Sequence, residues 1–428
     1  MILTDGATRR FLFLQGPHGP FFAKLARRLR VSGATCHRVG FSFGDRAFWT
    51  DGASYTAFRG PLADWPETCA ALLDTHEITD LVLYGDTRPV HAEAIKLAKA
   101  RGLRVHVFEE GYLRPWWVTY ERGGSNGHSP LMDLSMDDIR AALTQQRSPP
   151  IEAPAHWGEM RHHVFYGALY HALVLAGQRG YRQMAPHRGV TVGQEFVLHF
   201  KRLVFMPLHW AQRAIATARI KRGGYPYHLV LLQLDHDASL RHHGAFPTTR
   251  AFFEHVIEGF ATGAPPHHHL VLKAHPLEDG RVPQRRLIGE IAGRYGVADR
   301  VHYLRGGKLA HLLDNARSAL TVNSTAAQQA LWRGLPVRAF GASVYARPEL
   351  TSDQPVAAFF ADPQPPDRAA YTAFRQYLLQ SSQLPGGYYS TRGRRQLYRQ
   401  IVDRMLAEPT PKTAAASAQH LRVVSGTG

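Results

Sequence analysis

The sequence predicts an α/β chain of two Rossmann-like domains, each on a parallel sheet, facing each other across a cleft, with a basic helical insert between them. Three observations predict it. Short apolar runs closed by glycine or polar residues alternate with stretches of helical period through residues 10–111, and again through residues 227–341. Between Arg161 and Arg222 stand ten Lys/Arg and one acidic residue, Glu195. Finally, 428 residues exceed one ordinary core, so two domains are expected.

In order, "RFLFLQG" reads as a strand and "PFFAKLARRLRVSG" as an amphipathic helix closed by glycine. "TCHRVGF" is a second strand. "LADWPETCAALLDTH" is helical in period, and "ITDLVLYGD" is a strand ending in Gly-Asp. "RPVHAEAIKLAKARG" is a helix, and "LRVHVFEEG" a strand that ends on two carboxylates and a turn. After the insert, "YHLVLLQLD", "HHLVLKAHP", "RVHYLRG", "SALTVNST" and "LPVRAFG" read as strands separated by helical stretches. Such alternation demands right-handed crossovers, and ligands then bind beyond the carboxyl ends of the strands. The boundaries fall at 1–154 for the first domain, 155–222 for the insert and 223–350 for the second domain. Residues 351–407 are helices packing back on the cleft, and 408–428 a low-complexity tail expected to be disordered.

Composition narrows the class. Hydrophobic content of 44% with 20% charged residues describes a folded chain, and the formal charge of +17 calls for anionic partners such as phosphates or lipid headgroups. Two cysteines without CxxC spacing, Cys36 and Cys69, imply neither a disulfide framework nor a zinc ribbon. A reducing, cytoplasmic setting is expected. No window reaches the roughly 18–20 apolar residues of a membrane span.

Three constellations carry chemistry. In "FEEGYLRPWW" the period of two puts Val105, Val107 and Glu109 on one face and His106, Phe108 and Glu110 on the other. Glu110, last on the strand, is the freer to act as base or nucleophile, and Glu109 is expected to be structural, paired with an arginine. In "LVLKAHPLEDG", Lys273 and His275 follow a strand that Pro276 ends, and both can donate to phosphate oxygens, an ordinary turn histidine being the alternative reading. In "LTVNSTAAQQALWRG", Asn323, Ser324 and Thr325 stand at a strand-to-helix junction, where hydroxyls either cap the helix or bind phosphate. The histidine run 267–269 lacks metal-ligand spacing, and the carboxylates Asp235 and Asp237, which could bind a metal, are read as organising a turn, so no metal is expected. There is no P-loop, GxSxG or GxGxxG with a downstream acid, and no RNA-binding module, so nucleic acid is not an expected partner.

The segments "LFLQGPHGPFF", "FSFGDRAFW", "LYGDTRPVHAEA", "FEEGYLRPWWVTYERGGSNGHS", "KAHPLEDG" and "TVNSTAAQQALWRGLPVRAFGASVYARPELT" together resemble the KpsS/LipB-type capsule polysaccharide proteins. The resemblance runs in matching order from about residue 10 to 355. It implies a GT-B-like glycosyltransferase of the β-Kdo transferase family, peripheral to the inner membrane, moving Kdo from CMP-Kdo to a phosphatidylglycerol-based lipid acceptor. It implies further that Lys273, His275, Pro276, Asn323, Ser324 and Thr325 hold the nucleotide, with Glu110, Glu109 and His275 catalytic. His18, Asp45, Asp86, Arg88, Arg114 and Asn126 would bind sugar or acceptor. No cofactor is implied. A second Kdo transferase and the capsule export machinery are the implied protein partners. The rival reading is a non-catalytic scaffold that binds anionic glycolipid, or a transferase using another nucleotide sugar.

Overall fold

The computed structural model describes residues 6–145, 160–181, 193–194, 197–198, 204–234, 244–276, 278 and 280–408. The tail beyond Glu408 lies outside them, as do Phe200, Lys201, Arg202, Asp235 and Asp237. The chain divides into two compact units, Met1–Phe196 with Gln376–Gly428, and Val197–Arg375.

Among the described residues twelve strands form two sheets. They are β1 Arg10–Phe13, β2 Thr35–Gly40, β3 Tyr55–Ala57, β4 Asp80–Tyr84, β5 Arg104–Glu110, β6 Trp117–Arg122, β7 Tyr227–Leu231, β8 His269–Lys273, β9 Val301–Leu304, β10 Ala316–Thr321, β11 Val337–Ala339 and β12 Gln383–Pro385. The first sheet runs β12-β6-β5-β4-β1-β2-β3, and the second β11-β10-β7-β8-β9. All pairs are parallel except β5 with β6 and β6 with β12. Both parallel cores therefore share the strand order 3-2-1-4-5 of a Rossmann half. Each has its topological switch point between its first and fourth strands, β1/β4 and β7/β10.

The sequence explains the layers. In the first unit Leu12, Leu81, Leu83, Val105 and Val107 meet Trp65, Cys69, Val90 and Ala94 from helices Trp65–Thr75 and Pro89–Ala100. The alternate residues Phe11, Phe13, Val82 and Phe108 pack on Phe21, Phe22 and Leu25 of helix Phe21–Val31, and on Leu397, Tyr398 and Ile401 of helix Thr391–Leu406. In the second, Val230, Leu270, Leu272 and Leu320 bury Phe253, Val256, Ile257 and Phe260 of helix Thr249–Gly263, whose N-cap Thr248 accepts from the Ala251 N–H.

Three differences from the sequence reading matter. The parallel sheet stops at β5: "WVTYER", unread beyond the glycine turn, returns antiparallel as β6, with Glu110 opposite Val118. Three-residue β12, too short to show a period, adds Pro385 opposite Trp117. The segment from Gln376 thus belongs to the first unit. The basic stretch is divided, helix Met160–Ala176 lying in the first unit and helix Met206–Gly223 in the second.

A buried ionic network joins the start of the first sheet to its C-terminal helix. Arg9, 2% exposed, donates to Asp80 through Nε (2.8 Å) and Nη2, and to the carbonyls of Met405 and Leu406 at 3.0 and 3.2 Å. His106 Nε2 lies 2.7 Å from Asp80, and His106 Nδ1 2.7 Å from the Tyr120 hydroxyl. Burial alone would raise the Asp80 carboxyl, but Arg9 and His106 outweigh it and hold it well below the usual carboxylate range.

Candidate active site

The two glutamates end β5 beside the end of β4. Alternation sends them to opposite faces, as expected. Tyr84 of β4 donates its hydroxyl to Glu110 Oε1 at 3.2 Å. Glu109 Oε1 accepts the Glu110 N–H at 3.0 Å, and Oε2 lies against Gly85, 3.1 Å from where a Cβ would sit. Tyr388, from the C-terminal segment, donates to the Glu109 carbonyl at 2.7 Å. The Gly111 turn admits no side chain: a Cβ there would stand 2.3 Å from the Trp117 carbonyl oxygen. Arg114 is exposed and donates to the Gly111 carbonyl at 3.2 Å, so it clasps the turn.

The switch point of the first unit gathers more of the predicted residues. Gln15, just past β1, accepts from Arg88 Nη1 at 2.7 Å and donates to the Tyr170 hydroxyl at 3.0 Å. Arg88 also sits 5.8 Å from the Tyr84 ring centroid. Asp45, 1% exposed, accepts from the Phe41 N–H and the Ser42 hydroxyl at 3.0 Å, from Arg38 at 3.1 Å and from Tyr170 at 3.3 Å. Its carboxylate is saturated by these groups and holds the loop after β2, which accounts for the residue without a ligand. His18 stacks on Tyr170 at 4.4 Å.

Asp86 and Asn126 belong to a neighbouring network. Buried Asp86 accepts the Ser125 N–H at 2.8 Å and lies 3.3 Å from His128 Nδ1. The Asn126 N–H, at a positive φ of 53° that asparagine tolerates, donates to the Tyr112 hydroxyl at 2.7 Å. Tyr112 and Ser129 in turn donate to Glu121 at 2.7 and 2.8 Å. Burial pushes the Glu121 carboxyl up to about 8 against those two bonds. The folded chain therefore holds this proton more tightly than the unfolded one. Its stability contribution is complete below the ordinary carboxyl value and is lost as pH rises through about 8. Glu121→Gln should match wild type in thermal midpoint near pH 5 and exceed it increasingly toward pH 9. A difference independent of pH would remove the proton from Glu121.

In the second unit, the carboxyl ends of β8 and β10 are separated only by β7, so the His-Pro and Asn-Ser-Thr segments start two strand spacings, about 10 Å, apart. Lys273 is buried on the face opposite Leu270 and Leu272. Burial, and then the charge of Arg213, lowers it to about 8, and among the described residues no carboxylate pairs with it. Gly306, at φ 97°, leaves room for Arg213, whose Cδ would lie 2.5 Å from a Cβ there. His275 is half-buried, its carbonyl accepting the Glu278 N–H at 3.0 Å, and Pro276 is exposed. Asn323 donates its N–H to Gln233 Oε1 at 3.1 Å and accepts from Gln233 Nε2 at 2.7 Å. The Ser324 hydroxyl accepts the Ala326 N–H at 3.3 Å, and Thr325 opens a single 3-10 turn before the five-residue helix Gln328–Trp332. So short a helix gives little dipole. A cavity of about 440 Å³ opens at the β7/β10 switch point, lined by Gln233, Thr248, Gln284, Phe246, Phe252 and Val322. Lys273, His275 and Ser324 do not line it.

Sequence reasoning missed Gln15, Tyr84, Tyr170, Glu121, Gln233 and Tyr388. Two of them carried a signal. Gln15 and Gln233 are each the first polar residue after the apolar run of a unit's first strand, and each reaches across its switch point to the fourth-strand side.

The family model described as capsule polysaccharide biosynthesis protein matches residues 79–389. The chain belongs to that family. Capsule polysaccharide modification protein LipB of Neisseria meningitidis serogroup B is 30% identical over 391 residues, covering 90% of this chain and 92% of LipB. Capsule polysaccharide export protein KpsS of Escherichia coli is also 30% identical, over 89% of this chain and 97% of KpsS. Among solved structures, Thermosulfurimonas dismutans KpsC, a beta Kdo 2,7 transferase, aligns over 93% of this chain and 100% of that one, at 13% identity and a TM-score of 0.42. In this chain the matched span holds Asp86, Arg88, the glutamates, Arg114, Asn126 and the whole of the second unit's candidate residues. His18 and Asp45 precede it.

Proposed function

We propose that this capsule polysaccharide biosynthesis protein is a glycosyltransferase that moves β-Kdo from CMP-Kdo to a phosphatidylglycerol-based acceptor. The observation that carries the reading is Glu110. Its half-buried carboxylate stands at the carboxyl end of a central strand, with Oε1 held by Tyr84 and Oε2 unbonded among the described residues. CMP-Kdo is a β-linked donor, so a β product means retention. Glu110 as nucleophile would give it through two inversions, and as a general base would give inversion instead. Buried Lys273 beside Arg213 is a cationic site with no paired carboxylate among the described residues, which suits a nucleotide phosphate. The cavity at the second switch point, where Phe246, Phe252 and Val322 stand beside Gln233, Thr248 and Gln284, suits an uncharged ring with polar edges.

The test is transfer from CMP-Kdo, generated in situ, to a fluorescent phosphatidylglycerol acceptor, with UDP-sugars in parallel. Product from CMP-Kdo alone is expected. No product from any donor, with binding to glycolipid vesicles retained, would overturn the reading in favour of a scaffold. Calorimetry adds a second check. An anion beside Lys273 restores its charge, so CMP binding near pH 8–9 should take up a proton, and Lys273→Gln should lose that uptake.

Docking on the inner leaflet is part of the same proposal. Among the described residues no helix is long and apolar enough to cross a membrane. Helix Met206–Gly223 and the residues just before it nevertheless expose Phe205, Leu208, Ile215 and, at 65%, Trp210, together with Arg219 and Arg222. Apolar rings beside cations fit an anionic bilayer surface, each cation adding about 1 kcal/mol. Arg213 of the same helix instead packs against the Gly306 loop. Sedimentation with phosphatidylglycerol vesicles should be strong at low salt, weak at high salt and lost in Trp210→Ser/Arg219→Glu/Arg222→Glu. Unchanged sedimentation of that variant would take the helix out of the membrane role.

A further inference from the structure

We propose that Tyr84 is the positioning residue of the Glu110 carboxylate, working within an aromatic collar that the C-terminal segment completes; this rests on the role of Glu110 given above. Two consecutive carboxylates on a strand end have the same chemistry, and something must make one of them reactive. The tyrosines around them supply the difference. Glu109 is consumed by the protein: its Oε1 takes the Glu110 N–H, and its Oε2 faces Gly85. Its main chain is pinned by the Tyr388 hydroxyl. Among the described residues Glu110 receives one side-chain bond, from Tyr84 to Oε1. That bond holds Oε1 toward β4 and does not use Oε2.

Tyr84 is itself held on two sides. Its ring stands edge-on to Tyr388 at 5.4 Å and 88°, and the Arg88 guanidinium lies 5.8 Å from its centroid. Tyr388 is buried in the core of the C-terminal helix. Arg394, 3% exposed, donates to the Tyr388 carbonyl at 3.1 Å and also to the Tyr389 carbonyl, so the Tyr388-Tyr389 pair is clamped to the start of that helix. Tyr389 stacks on His163 of helix Met160–Ala176 at 4.3 Å and 9°. Three separate stretches of sequence thus converge on one carboxylate. Burial, and then the neighbouring Glu110 charge, raises the Tyr84 phenol well above its ordinary value, so it remains a donor throughout the working pH range.

Tyr84→Phe removes only the hydroxyl and keeps the edge-on ring packing. In the full chain, with CMP-Kdo as donor, kcat should fall roughly 10- to 100-fold, the effect of one hydrogen bond to a charged group. KM for CMP-Kdo should not change, and kcat should fall at temperatures where the variant is still fully folded, whereas a merely structural role would lower activity only in step with unfolding. Added to Glu110→Gln, Tyr84→Phe should cost nothing further, because its effect passes through the carboxylate. Wild-type kcat in Tyr84→Phe, with Glu110→Gln inactive, would overturn this proposal alone. Full activity in Glu110→Gln, or a wild-type chain that transfers nothing from CMP-Kdo, would overturn the proposed function and this inference with it.

Discussion

Glu110→Gln is expected to reduce transfer by at least about 10³-fold while CMP binding and the thermal midpoint stay at wild-type values. The amide keeps the size of the side chain and still accepts from Tyr84, so the pocket and the strand end are preserved. What disappears is the oxygen proposed to act as nucleophile or to take the acceptor's proton, and losses of this order follow removal of such groups. Glu109→Gln is the matched control. Its amide can still accept the Glu110 N–H, so activity should fall much less and in step with any loss of stability. Reversed behaviour of the two variants would mean that alternation assigns the wrong carboxylate. Mass spectrometry of the wild-type chain mixed with CMP-Kdo then separates the mechanisms, a Kdo adduct on Glu110 requiring two displacements.

The second large effect is on folding. Asp80→Ala leaves Arg9 and His106 facing each other without an anion in a fully buried site, and breaking such a pair costs about 3–5 kcal/mol. A urea transition followed by tryptophan fluorescence, Trp49 being in the same core, should shift markedly to lower concentration. Replacing Arg9 with Met in the same chain should recover part of the loss, since no unpaired guanidinium then remains. A shift under 1 kcal/mol in the single variant would show that the network contributes little.

Much of the architecture was legible because its signals are local. Alternating strand and helix periods, glycine joints and the two-residue alternation of "LRVHVFEE" each need only neighbouring residues. That is why the opposite faces of Glu109 and Glu110 could be read. The contacts that distinguish the glutamates could not. Tyr84 reaches Glu110 because β4 and β5 pair with Tyr84 opposite Phe108, a register no single strand reveals. Asp45 shows the converse limit: a polar residue after a strand looks the same in sequence whether it faces a ligand or caps a buried loop. Arg213 likewise spends its length on the Gly306 loop, a partner far along the chain, whereas Ser324 caps the N–H of Ala326 two residues on, the local alternative its sequence context already offered.

The return of residues 376–408 to the first unit has a consequence for synthesis. On the ribosome, the sheet begun by β1–β6 emerges with Phe21, Phe22, Phe108 and Tyr120 facing a place that Leu384, Leu397, Ile401 and Met405 will fill. Between them the whole of Val197–Arg375 must be translated, roughly ten to forty seconds at 5–20 residues per second. The second unit is contiguous and can finish folding as soon as it clears the exit tunnel, so the half that is encoded later is completed earlier. During that interval the nascent first sheet carries an uncovered aromatic face and an open β6 edge, the surfaces on which chaperones act and misassembly begins. Slowing translation between residues 197 and 375 should therefore lower the yield of soluble protein, and co-expressed chaperones should restore it.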